Sequence, residues 1–132
     1  KVGENSVYSE LEFERTSVRL EATFQKVYGV ICDYEMSDGN TISIYSLTPE
    51  SFLVEKSNTY LKRFKIRDLW DVFFLLKFID TPENITEIGT LINKYKRPID
   101  EQDLKVILLE GIAPSPDEML EYIKRKWQKK NI

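Results

Sequence analysis

Through Ser46 the chain alternates apolar and polar positions. Val7, Ser9, Leu11 and Phe13 interleave with Tyr8, Glu10 and Glu12, the period of two of a half-buried strand. Val18, Leu20, Ala22 and Phe24 likewise face away from Arg19, Glu21 and Thr23. Two further apolar runs, Val27–Met36 and Thr41–Ser46, flank Ser37-Asp38-Gly39-Asn40. Asp-Gly supplies the positive φ angles that a tight hairpin turn demands. The pattern predicts about four strands in a small, mainly antiparallel sheet.

After Ser46 the period becomes helical. Thr48 is placed to cap and Pro49 to take the first helical position, as helix starts prefer. That helix is expected to reach about Arg63, with a second over Lys65–Ile79. Thr81-Pro82-Glu83 predicts the start of a third, with Ile85, Ile88, Leu91, Ile92 and Tyr95 as its apolar stripe, broken at Pro98. Asp100 is expected to cap a short helix carrying Leu104, Ile107 and Leu108, which stops at Gly111. Ser115 and Glu118, with Pro116 between them, form a capping-box pattern for a last helix carrying Met119, Leu120, Ile123 and Trp127. Strands first and helices second predict an α+β fold. The expected organisation is a single domain over 1–132, with a sheet part at 1–46 and a helical part of four or five helices at 47–132.

Composition narrows the chemistry. The 132 residues suffice for one domain with its own core. A formal net charge of −3 argues against a general nucleic-acid coat. No uncharged apolar run is long enough to span a membrane, so no membrane partner is expected. The single cysteine, Cys32, cannot form an intramolecular disulfide and suits a reducing, cytoplasmic setting. In its apolar strand it reads as a small core residue. The chain contains no histidine. That removes Ser-His-Asp and Cys-His nucleophiles, imidazole bases and His-ligated zinc.

Three charged residues do not fit a plain core. Lys56 lies on the apolar stripe with Phe52, Leu53 and Tyr60. It would either snorkel to water or hold an anion such as phosphate. Asp71 sits inside "LWDVFFLL" with Phe74 and Leu75 on its own face. Buried there, it needs a partner. Arg67, one turn earlier, and Lys56, from the preceding helix, are the candidates, and a packing ion pair is one reading of either. Asp68 stands near the start of the same helix, where the dipole favours an acid. Glu21 would be solvated or, if helices cover its sheet face, would join a metal-and-phosphate site. The tail carries Lys124, Arg125, Lys126, Lys129 and Lys130 around Trp127, read as a solvated helix end or as a weak base-stacking signal.

The stretch Leu47–Leu76, "LTPESFLVEKSNTYLKRFKIRDLWDVFFLL", resembles the signature region of the AbiEii-type nucleotidyltransferases. These are toxin components of type IV toxin–antitoxin and abortive-infection systems. Glu55-Lys56, Arg63 and Arg67-Asp68-Leu69-Trp70-Asp71 fill the places of the family pattern. The resemblance implies Lys56 and Asp71 as catalytic residues, with Lys56 on phosphate and Asp71 on the attacking group. It implies Arg63 and Arg67 as nucleotide-binding residues and, more softly, Glu21 as a metal ligand. The implied reaction moves a nucleoside monophosphate from an NTP to an RNA or protein acceptor, with Mg²⁺, in a protein held by a cognate antitoxin. The family's Gly-Ser followed by Asp-x-Asp does not occur here; Glu10–Glu14 alternates acids without the Gly-Ser turn. The chain is therefore expected to be the C-terminal piece of a longer nucleotidyltransferase or a reduced relative. The alternative is a non-catalytic binding module whose inward charges form a packing network.

Overall fold

A computed structural model describes residues 2–24, 26–108 and 111–128. Four strands precede the helices, giving an α+β fold. Strands β1 (Ser6–Phe13) and β2 (Thr16–Thr23) pair antiparallel, from Ser6 opposite Thr23 to Phe13 opposite Thr16. Glu14 takes a left-handed φ of 55° at the turn between them. Strands β3 (Val30–Glu35) and β4 (Thr41–Ser46) form a second hairpin. Its turn is the expected one: Gly39 has φ 82°, and the Asp38 carboxylate accepts from the Asn40 backbone N–H at 3.0 Å.

The strands make two separate two-stranded sheets rather than one. Cross-strand partners share a face, so the first hairpin is amphipathic, whereas the second carries apolar pairs on both faces, with Ile31 opposite Tyr45 on the one and Cys32 opposite Ile44 on the other. Leu11 faces Val18 and Ser9 faces Leu20 in the first hairpin, while Cys32 faces Ile44 and Tyr34 faces Ile42 in the second. Helices do not cover these faces: Leu11, Phe13, Val18, Leu20, Tyr34 and Ile42 are all exposed. Cys32 is half-buried in its hairpin and lies outside the core.

Helix α1 (Pro49–Arg63) begins as its sequence demands, with the Thr48 hydroxyl accepting from the Ser51 N–H at 3.2 Å. It ends where Phe64 turns left-handed (φ 50°) and donates its N–H to Tyr60 O at 2.7 Å. Helix α2 (Ile66–Leu75) is shorter than expected, and its last turn tightens to a 3₁₀ turn over Leu76–Phe78. The Thr81-Pro82-Glu83 signal opens only a 3₁₀ turn, Pro82–Asn84, with no cap from the Thr81 side chain. Helix α3 (Thr86–Lys94) starts after it.

Asp100 does not cap its own 3₁₀ turn, Glu101–Asp103. Its carboxylate accepts instead from the backbone N–H of Ile66 at 2.7 Å, capping the far-off start of α2. Helix α4 (Leu104–Ile107) is a single turn. The side chain of Ile107, counted in its apolar stripe, lies outside the described residues. Helix α5 (Pro116–Trp127) opens with the full capping box: the Ser115 hydroxyl accepts from the Glu118 N–H at 3.2 Å, and the Glu118 carboxylate accepts from the Ser115 N–H at 2.7 Å.

No strand residue enters the core, which is built from the helices and the turns that join them. Leu53, Tyr60, Ile66, Leu69, Val72, Leu76, Ile88, Leu91, Met119 and Ile123 are fully buried. Helix α2 is its hub, packing on α1 and α5. Gly89 lets α3 and α5 close, since a Cβ there would sit 2.7 Å from the Trp127 ring. Trp127 belongs to this packing and is not free to stack on a base. No described helix is long and apolar enough to cross a membrane.

Candidate functional site

Lys56 and Asp71 meet across the α1–α2 interface. Lys56 Nζ lies 2.6 Å from Asp71 Oδ2, with the side chains 37% and 35% exposed. The helical stripe explains the meeting: buried Leu53 and Tyr60 flank Lys56 and seat α1 against α2. The lysine stem packs while its head stays at the surface. Asp71 is thus half-exposed, not buried, and its partner is Lys56. Arg67 points outward from the first turn of α2 and makes no ion pair among the described residues.

The buried carboxylate is its neighbour Asp68, which is fully shielded from water. Arg63 grips it with two parallel bonds, Nε to Oδ2 at 2.6 Å and Nη2 to Oδ1 at 2.7 Å. The bond to Asp68 raises the Arg63 pKa above its ordinary value, with burial opposing it more weakly. Arg63 therefore serves the fold first. Its pairing with Asp68 depends on the left-handed turn at Phe64, which folds the end of α1 back onto the start of α2. The signal available in sequence was the arginine five residues before a helix-opening acid.

An aromatic ridge runs beside the ion pair and was not foreseen. Trp70, Phe74 and Phe78 recur every four residues from the turn that bears Asp71, which aligns them on one flank. The Trp70 and Phe74 ring centroids are 6.4 Å apart, and those of Phe74 and Phe78 are 5.3 Å apart. Lys77 Nζ stands 5.0 Å above the Phe73 ring and 5.4 Å above the Phe74 ring. Phe73 in turn meets Tyr122 of α5 at 4.9 Å.

Glu21 is not brought into this cluster. It is exposed in β2, where its carboxylate lies 3.4 Å from Arg19 Nε of the same strand. Among the described residues no three acidic or cysteine side chains converge as metal ligands. The residues present do not fit a magnesium ion: Asp71 is engaged by Lys56 and Glu21 by Arg19, and no second carboxylate joins either. A cleft of about 210 Å³ beside the start of α1 is lined by Tyr28, Leu47, Ser51, Val54 and Glu55, and not by Lys56 or Asp71. Of the basic tail, Arg125 and Lys126 stand over Tyr122 and Lys124 pairs with Glu121. Lys129 and Lys130 lie outside the described residues.

Compared with protein-family models, curated proteins and solved structures, the chain matches none.

Proposed function

We propose that the α1–α2 surface is the phosphate-holding element of an AbiEii-like nucleotidyltransferase. The observation that carries this reading is the half-exposed Lys56–Asp71 pair at 2.6 Å. A lysine head at the surface, held by one carboxylate, can exchange that carboxylate for a phosphate oxygen. The exchange would leave the Asp71 carboxylate free to accept a proton from, or orient, an attacking hydroxyl. Arg67, exposed one turn away, would add positive charge for a polyphosphate. The substrate is an NTP and the acceptor an RNA or a protein, in a protein partnered by an antitoxin. Magnesium enters this reading only through the resemblance.

A second reading, a non-catalytic binding module, draws on the two uncovered hairpin faces and on the lack of a second acid beside Asp71. Thermal melts with each NTP, with and without Mg²⁺, separate the two. A ligand at about ten times its Kd stabilises the folded state by about 1.4 kcal/mol. The expected result is a higher Tm with NTP that Lys56→Ala abolishes. No shift with any NTP would leave the binding module as the surviving reading.

A further inference from the structure

The ridge of Trp70, Phe74 and Phe78 begins beside the Lys56–Asp71 pair, and the core leaves two of its rings open. Arg67, Asp71, Phe74 and Phe78 follow one another at intervals of four, three and four residues, the spacing of one helical stripe. Phe74 therefore stands about 4.5 Å beyond Asp71 along the axis, and Phe78 about 10 Å beyond it. Phe74 is 43% and Phe78 60% exposed, while Trp70 is half-buried. The Trp70 and Phe74 rings are inclined by only 23°, and at 6.4 Å between centroids neither covers the face of the other. Lys77 Nζ stands 5.4 Å from the Phe74 centroid. Like Arg67, Lys77 pairs with no carboxylate among the described residues.

We propose that this ridge receives the base of the NTP whose phosphates Lys56 holds, so that the nucleotide lies along α2 with its base on Phe74 and Phe78. The inference rests on the phosphate-holding reading of Lys56 and Asp71. Area favours this occupant. With roughly 200 Å² for each phenylalanine, the exposed fractions leave on the order of 200 Å² open. That is far below the roughly 800 Å² per partner of a standard protein interface, whereas a single base needs only a flat ring to lie on. Charge favours an anion: Lys56, Arg67 and Lys77 are set around a stripe whose one carboxylate is Asp71. The order along the helix is that of a nucleotide. Arg67 and the Lys56 head mark the phosphate end, and the rings follow toward the helix C-terminus, with the ribose and inner phosphates bridging the interval. Aromatic side chains take bases by their π-faces while lysine and arginine take phosphates.

Isothermal titration of the full chain with each of the four NTPs and with inorganic tripolyphosphate tests it. The expected result is an NTP that binds about tenfold more tightly than tripolyphosphate, the gain from one stacked base. Phe74→Leu and Phe78→Leu are expected to remove that advantage and to leave the tripolyphosphate affinity unchanged. Phe78→Tyr, which keeps an aromatic face, is expected to retain it, and Lys56→Ala to weaken both ligands. The NTP, but not tripolyphosphate, should quench Trp70, since the other tryptophan of the chain, Trp127, is packed over Gly89. The helical circular-dichroism signal should persist in all four variants, because none removes a fully buried side chain. NTPs that bind no more tightly than tripolyphosphate, or an NTP affinity indifferent to both leucine variants, overturn the ridge as a base site and leave the phosphate-holding role intact. Binding of neither ligand to the wild type overturns both.

Discussion

Asp68, with no exposure to water, is held by Arg63 through two bonds of 2.6 and 2.7 Å, while the arginine side chain is 43% exposed. The pair is therefore asymmetric. Removing the arginine strands a carboxylate in the interior, whereas removing the aspartate releases a guanidinium that can reach water.

Arg63→Ala is accordingly expected to cost about 3 kcal/mol, the penalty for an unpaired buried charge. Asp68→Ala is expected to cost only about 1–2 kcal/mol, the loss of the hydrogen bonds and some packing. Urea denaturation of both variants measures the difference. Equal losses, or a larger loss from Asp68→Ala, would contradict a pair whose burial lies on the carboxylate side.

The Lys56–Asp71 pair should behave differently, because both partners are about one-third exposed. Single substitutions to alanine are expected to cost less than about 1 kcal/mol each, and their coupling in a double-mutant cycle to be about 0.5 kcal/mol. Such small costs make Lys56→Ala and Asp71→Ala usable probes of NTP binding in a folded protein. A coupling above about 2 kcal/mol would mark the pair as packing and weaken the phosphate-holding role.

Glu118 supplies a pH test. The Ser115 backbone N–H, and secondarily its hydroxyl, hold the carboxyl below its ordinary value of 4.5. A depressed folded-state pKa stabilises above the unfolded value, and that contribution is lost as pH falls through the folded one. The Tm advantage of the wild type over Glu118→Gln should thus be constant near neutral pH and shrink below 4.5. An advantage that grows on acidification would have the wrong sign for the capping box.

The magnesium ligands and the Asp71 environment show why part of the site was not legible. A ligand set requires side chains from separate elements at one point. Strand alternation identifies Glu21 as outward-facing, but not what its face meets. Here it meets Arg19 of its own strand. The apolar pattern of α2 points to Asp71 as the enclosed carboxylate, whereas Asp68, about one turn earlier, is the one shielded from water. Asp68 and Asp71 lie three residues apart on neighbouring parts of the helix surface. Only the direction of α1 decides that Asp68 is enclosed and Asp71 reaches the rim. The ridge of Trp70, Phe74 and Phe78 was written in the spacing, yet only the folded chain leaves Phe74 and Phe78 exposed.

Sequence alone determined what depends on neighbours along the chain. The Thr48-Pro49 start, the Ser115–Glu118 capping box and the Asp38-Gly39 hairpin all formed where expected, because each closes its bonds within a few residues. Tertiary structure decided what depends on distant partners. It made Asp100 a cap for Ile66 rather than for its own turn. It made Trp127 the filler of the space above Gly89, and it left the apolar residues of the hairpins exposed and outside the helical core. The physical reason is that a hydrogen-bonded cap has one local geometry, whereas an apolar face is satisfied by any surface of matching shape, and only the folded chain shows which surface meets it.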